Sequence, residues 1–115
     1  MRWFRRRPRF NDLIQRQLEL YQFDHSELLA RVAAAELVYN RAPAGEAEDA
    51  YGDYMDLVEE AEDELLALRD RYGSTMAARE RLRYEREFTR AAERQMPSLV
   101  SRRMYERAID PDGDV

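Results

Sequence analysis

Apolar and small residues recur at alternating steps of three and four along two stretches of the chain. The first is Ile14, Leu18, Tyr21, His25, Leu28, Val32, Ala35, Tyr39, and the second is Tyr51, Tyr54, Val58, Ala61, Leu65, Leu68, Tyr72. Seven residues nearly complete two helical turns, so this rhythm keeps one face of a helix in register with a packed neighbour. The pattern predicts an all-α chain, an antiparallel helical hairpin or coiled-coil bundle of three long helices with a short C-terminal helix.

Boundary signals place these elements. Asn11 is positioned to cap the first helix, with Asp12 in its first turn, and neither Gly nor Pro interrupts the pattern before Ala42. One helix is therefore expected over 11–42, about 45 Å long at the rise of an α-helix. Asp24-His25-Ser26-Glu27 is the one place where a second start fits, but the seam runs through it and favours continuity. Ala42-Pro43-Ala44-Gly45 reads as a loop. A second helix is expected over 46–72, and Gly52 weakens its first turns by about 1 kcal/mol relative to Ala, moving the expected ordered start toward Asp53. Gly73 suits a left-handed cap, and Ser74 or Thr75 then opens a third helix reaching about Met96. Pro97 and Ser98 mark a fresh start, with Leu99, Val100, Met104, Tyr105 and Ile109 forming a short fourth helix. A single helical domain over 11–109 is expected, between a basic aromatic arm at 1–10 and a polar tail at 110–115.

The seam predicts burial of Leu18, Leu28, Val32, Val58, Leu65 and Leu68. Seven Tyr and few large aliphatic residues imply a thin core, one that gains from pairing with a second copy or a partner. At 115 residues the chain is long enough to bury most of its apolar surface without a staple. It has no Cys, which removes disulfides and thiolate metal sites. All 19 cations are Arg, a bias that genome composition explains at least as well as function. No stretch approaches 18 apolar residues, and the basic start is not followed by the apolar run of a secretory signal. A cytoplasmic protein is expected, with contact at a membrane periphery as the alternative.

The net charge of −5 conceals blocks of opposite sign. The stretch 42–68 carries acids and no Arg, whereas 69–107 is rich in Arg. Asp49, Asp53, Asp56, Glu60 and Asp63 form an acidic row at helical spacing, and Arg79, Arg83, Arg86, Arg90 and Arg94 form a basic one. A hairpin turning at Gly73 would align Asp63 with Arg83, but each row lies opposite its own apolar seam. Both rows should therefore face outward.

Candidate chemistry is sparse. His25, the only histidine, falls on the first seam, where it reads as a polar residue that fixes register or as a pH-sensitive group near Tyr21 and Asp24. A two-metal carboxylate centre needs two Glu-x-x-His motifs, and the residue three before His25 is Gln22. Asp110, Asp112 and Asp114 begin a calcium-loop spacing, but the later ligands are missing. Ser26 adjoins His25 on one helix, where successive side chains diverge, and no Gly-rich phosphate loop is present. No catalytic residue, metal or cofactor is expected.

The arm combines Arg2, Arg5, Arg6, Arg7 and Arg9 with Trp3 and Phe4. Guanidinium groups interleaved with aromatics suit an anionic membrane surface or a nucleic-acid backbone. The sequence thus points to a non-catalytic interaction or assembly module, a small coiled-coil adaptor or self-associating protein. Its expected partner is another protein or a second copy, reached through the charged rows. The alternative is a peripheral binder of anionic membrane or nucleic acid that uses the arm.

Overall fold

The computed structural model describes residues 9–109, and they are helical almost throughout. In chain order the elements are α1 (Asn11–Asp24), α2 (Ser26–Arg41), α3 (Ala47–Gly73), α4 (Ala78–Gln95) and α5 (Arg102–Ile109), with 3₁₀ turns at Ala44–Glu46 and Pro97–Leu99. No strand occurs among the described residues. The all-α expectation holds. The tail at 110–115 and most of the arm lie outside the described residues.

Helix α3 is the spine, packing against α2, against α4 and against both 3₁₀ turns, while α1 and α5 pack on α4. Helices α2 and α3 run antiparallel. Near their connecting loop the Tyr39 ring meets Tyr51 at a tilt of 57° and lies parallel to Tyr54, with ring centroids 5.2 and 6.2 Å apart. At the far end of α2, His25 Nε2 lies 3.6 Å from Glu64 Oε1.

The expected single helix over 11–42 is divided at His25, whose backbone (φ −113°, ψ 26°) leaves the helical basin. The division follows from packing: α1 serves α4 while α2 serves α3, and one straight rod would lose one of these contacts. The His25 and Leu29 N–H groups still donate to the carbonyls four residues earlier. The element is thus divided at His25, and covered and exposed positions recur at three-four spacing on both sides of it.

Other boundaries also differ from expectation. Phe10 occupies the cap position, and Asn11 sits inside the first turn with its amide on Asp12 instead of a backbone N–H. Gly52 does not delay α3, which begins at Ala47. Gly73 ends α3 without a left-handed backbone, and what it offers is room for side chains of α4. A Cβ there would lie 2.7 Å from Glu85 Oε2 and 3.2 Å from Arg81 Nε, so the missing side chain lets α4 come close. Ser74 and Thr75 do not open α4. Their hydroxyls donate to the Arg71 and Tyr72 carbonyls and close α3 instead.

The core joins Ile14, Leu18 and Tyr21 of α1 to Val58, Ala61, Leu65 and Leu66 of α3 and to Tyr84 and Phe88 of α4, with Leu99 and Met104 closing one end. Of the six residues expected inside, Leu18, Val32, Val58 and Leu65 are buried, whereas Leu28 and Leu68 are half-buried. Tyr51 and Tyr72 mark the exposed ends of the second seam. The α2–α3 pair contributes little third-layer cover. The radius of gyration is accordingly 16.6 Å, above the roughly 13 Å of a compact domain near this length.

Leu65 is fully buried at the centre of this core, so Leu65→Ala should lower unfolding free energy by about 2 to 5 kcal/mol in urea titration. Asp53→Ala, at an exposed site, should change it by less than about 0.5 kcal/mol. A second expectation concerns high pH. Burial, with a smaller contribution from the Glu64 charge, holds the Tyr21 phenol well above the ordinary tyrosine range. Burial does the same to Tyr84, against a weaker opposing effect of its bond to Gln17. The folded chain therefore keeps these protons after the unfolded chain has released them. Their contribution is complete below about pH 10 and falls above it by about 1.4 kcal/mol per pH unit for each phenol. Tyr21→Phe should flatten that slope between pH 10 and 11, as followed by urea midpoints.

Candidate functional site

The acidic row follows α3 and the basic row follows α4, each opposite the apolar stripe that forms its helix. All ten side chains, Asp49, Asp53, Asp56, Glu60, Asp63, Arg79, Arg83, Arg86, Arg90 and Arg94, are exposed. The rows do not pair with each other. Asp63 Oδ1 accepts from Arg103 Nη2 of α5 at 2.7 Å, and Arg83 Nε donates to Glu87 at 3.3 Å within α4. The other eight form no ion pair with described residues.

Of the arm residues, Arg2, Trp3, Phe4, Arg5, Arg6 and Arg7 lie outside the described residues. Arg9 is held against α4: its Nη2 donates to Glu80 Oε2 at 2.8 Å, and its backbone N–H donates to Glu87 Oε2. The Phe10 N–H donates to the other Glu87 oxygen at 2.9 Å, and the Phe10 ring meets Tyr84 edge-on. Glu87 thus receives Arg83 and the root of the arm together, which places Arg9 at the margin of the basic row.

His25 marks the bend. Its ring stacks on Tyr21 with centroids 4.6 Å apart, Nδ1 lies 3.1 Å from the Tyr21 carbonyl, and Nε2 faces Glu64. With the proton on Nδ1 the ring closes onto its own helix. Ser26 makes no hydrogen bond to it. Among the described residues no three His, Cys, Asp or Glu side chains are grouped to hold a metal ion, and no helix is long and apolar enough to cross a membrane.

Two features escaped the sequence reading. The first is a set of buried polar side chains. Arg69 of α3 is 0% exposed, and its Nη1 donates to Thr89 Oγ1 of α4 and to the Met104 carbonyl of α5, both at 2.8 Å. Glu62, two turns earlier on α3, receives the Ser101 N–H at 2.7 Å, the Ser101 hydroxyl at 2.8 Å and Arg103 Nε at 2.8 Å. Ser101 Oγ accepts in turn from the Arg103 N–H and so caps α5. Tyr105 completes the attachment by donating to Glu93 of α4. Charge on a short C-terminal segment signals nothing of this, because carboxylates and guanidinium groups normally read as surface.

The second feature is an outward row on α1 and α2. Leu13, Arg16, Leu20, Phe23, Glu27, Ala30, Ala34, Leu37 and Arg41 follow the same three-four steps as the inner seam, and every one is exposed. Phe23 is 78% exposed, Leu20 55% and Leu37 51%, with Val38 beside them at 61%. Their spacing was a usable signal, masked by the three charged residues interspersed among them.

Glu62→Ala should leave the Ser101 N–H and Arg103 Nε without their acceptor, at a cost of about 1 to 3 kcal/mol. Hydrogen exchange should show the loss concentrated in α5, with α1 and α2 little changed. Uniform loss across all helices would contradict this anchoring role.

Compared with known proteins, the chain matches no family model, no curated protein and no solved structure, so a functional reading rests on these surfaces alone.

Proposed function

We propose that the chain is a non-catalytic helical assembly module, which works by binding helices of another protein molecule, a second copy first among them. The observation that carries this reading is the outward row of α1 and α2, where Leu13, Leu20, Phe23 and Leu37 stand in solvent at helix-packing spacing. Single exposed apolar residues are ordinary on any protein. A row in register along one helical face is what a further helix packs against. The unpaired acids of α3 and arginines of α4 add complementary surface that steers approach, each exposed pair contributing only about 0 to 1 kcal/mol.

A second reading is favoured by the position of Arg9. Because Arg9 and Arg83 share Glu87, Arg9 lies beside the basic row of α4, and the arginines of the arm with that row would offer cationic groups to anionic membrane or nucleic acid.

Solution mass by light scattering separates the readings, measured over a concentration series at about 0.05 and 0.5 M salt, a change that shortens the Debye length roughly threefold. An assembly module should exceed the mass of one chain and retain that mass when residues 1–8 are deleted. A single-chain mass throughout overturns self-assembly. Binding to vesicles of anionic lipid or to single-stranded RNA that disappears with residues 1–8 would establish the second reading.

A further inference from the structure

We infer that the outward row of α1 and early α2 is a two-fold interface, in which two copies pair antiparallel with Leu20 against Phe23 of the second copy and Arg16 against Glu27 of the second copy. The inference deepens the assembly reading and rests on it.

A two-fold interface uses one patch twice, so the patch must be complementary to itself. Reversing the row about the midpoint between Tyr21 and Gln22 tests that requirement. Leu20 then meets Phe23, Leu13 meets Ala30, and Arg16 meets Glu27, each contact occurring twice. Large apolar groups fall together at the centre, a large residue faces a small one toward each end, and the charges are opposite in sign. A surface shaped for an unrelated partner has no reason to carry this reversal symmetry.

Helix geometry agrees. Numbering the row as alternating a and d positions makes Leu13, Leu20 and Glu27 a residues, and Arg16, Phe23 and Ala30 d residues. All six pairings then join an a to a d, the layering of antiparallel helices. Neighbouring registers are worse. Sliding the copies so that Leu20 meets Ala30 sets Glu27 against Phe23, and sliding further so that Leu20 meets Leu37 sets Arg16 against Arg41. Charges inside a seam select register by penalising the alternatives.

The groups needed are free to act. Arg16 and Glu27 are exposed and form no ion pair with described residues, and Phe23 is the most exposed large apolar side chain described. The inner face of the same helices is occupied by Ile14, Leu18 and Tyr21, so pairing requires no rearrangement of the core. At the bend the His25 N–H donates to the Tyr21 carbonyl and the Leu29 N–H to the His25 carbonyl, and Glu27 and Ala30 beyond it are exposed as Leu13, Arg16 and Leu20 are before it.

The test is sedimentation equilibrium on the full chain and its variants, with helicity checked by circular dichroism. The unaltered chain should dimerise. Phe23→Glu and Leu20→Glu, both at exposed sites, should keep their helicity and weaken association about tenfold or more. Arg16→Glu and Glu27→Arg should each weaken it, and the double reversal Arg16→Glu with Glu27→Arg should restore it. A multimer that neither Phe23→Glu nor Leu20→Glu disturbs overturns this interface while leaving the assembly reading intact. Failure of the double reversal to restore association overturns the register. A monomeric unaltered chain overturns both the interface and self-assembly.

Discussion

The buried guanidinium of Arg69 imposes the strongest constraint on the arrangement of α3, α4 and α5. Moving a charge out of water costs several kcal/mol unless the surroundings replace its hydration. Thr89 Oγ1, the Met104 carbonyl and the neighbouring Asp70 carboxylate supply part of that replacement from three elements. Thr89 in turn donates to the Glu85 carbonyl within α4, which orients its hydroxyl oxygen to accept from Arg69. Apolar packing alone tolerates small slips of one helix over another. A guanidinium with two partners at 2.8 Å on different helices does not, because each slip would strand a buried donor.

Helix α3 therefore acts as an anchor along its length. Toward its N-terminal end it stacks tyrosines against α2. At its centre Ala61 offers a carbonyl to the Tyr21 hydroxyl at 2.6 Å. One face of its second half carries Glu62 for α5 and Arg69 for α4, and its last residue is small enough to admit Glu85 and Arg81. Of the chain that precedes α3, only α1 and the two residues before it are tied to α4 by hydrogen bonds among the described residues: Arg9 and Phe10 to Glu80 and Glu87, Gln17 to Tyr84, and Gln15 and Gln22 to Gln95. This asymmetry accounts for the bend at His25, since α1 must reach α4 while α2 remains beside α3.

Much of the fold was legible in the sequence because periodicity reports which face of a helix is covered. It does not report by what. The seam from Ile14 to Tyr39 is unbroken as a pattern and yet serves two different helices, so the division at His25 left no trace in the spacing. The outward orientation of the charged rows followed from the wheel and agrees with their exposure. Glu62 and Arg69 were illegible for a different reason. Their burial depends on acceptors and donors some 20 to 40 residues away, at Thr89, Ser101 and Met104, and no local signal marks a charge as partnered. The site proposed for assembly lies between these cases. Its three-four spacing was present from Leu13 to Arg41, but Arg16, Glu27 and Arg41 gave the row the composition of an ordinary solvated face.

The distribution of polarity makes the functional argument from the other direction. The interior of α3 and α4 holds Glu62, Arg69, Glu85 and Thr89 in bonded positions, while the surface of α1 and α2 leaves Leu20, Phe23, Leu37 and Val38 in water. An isolated chain gains nothing from the second arrangement, because exposed apolar groups in register raise the chance of non-specific association. Placing Arg16 and Glu27 within the same row changes that balance, since any apolar partner that covers the row must also desolvate both charges. Only a partner with the opposite charges at matching spacing recovers the loss, and a second copy laid antiparallel has them. In the proposed pairing, the charges that hid the row in the sequence are the groups that would make it selective.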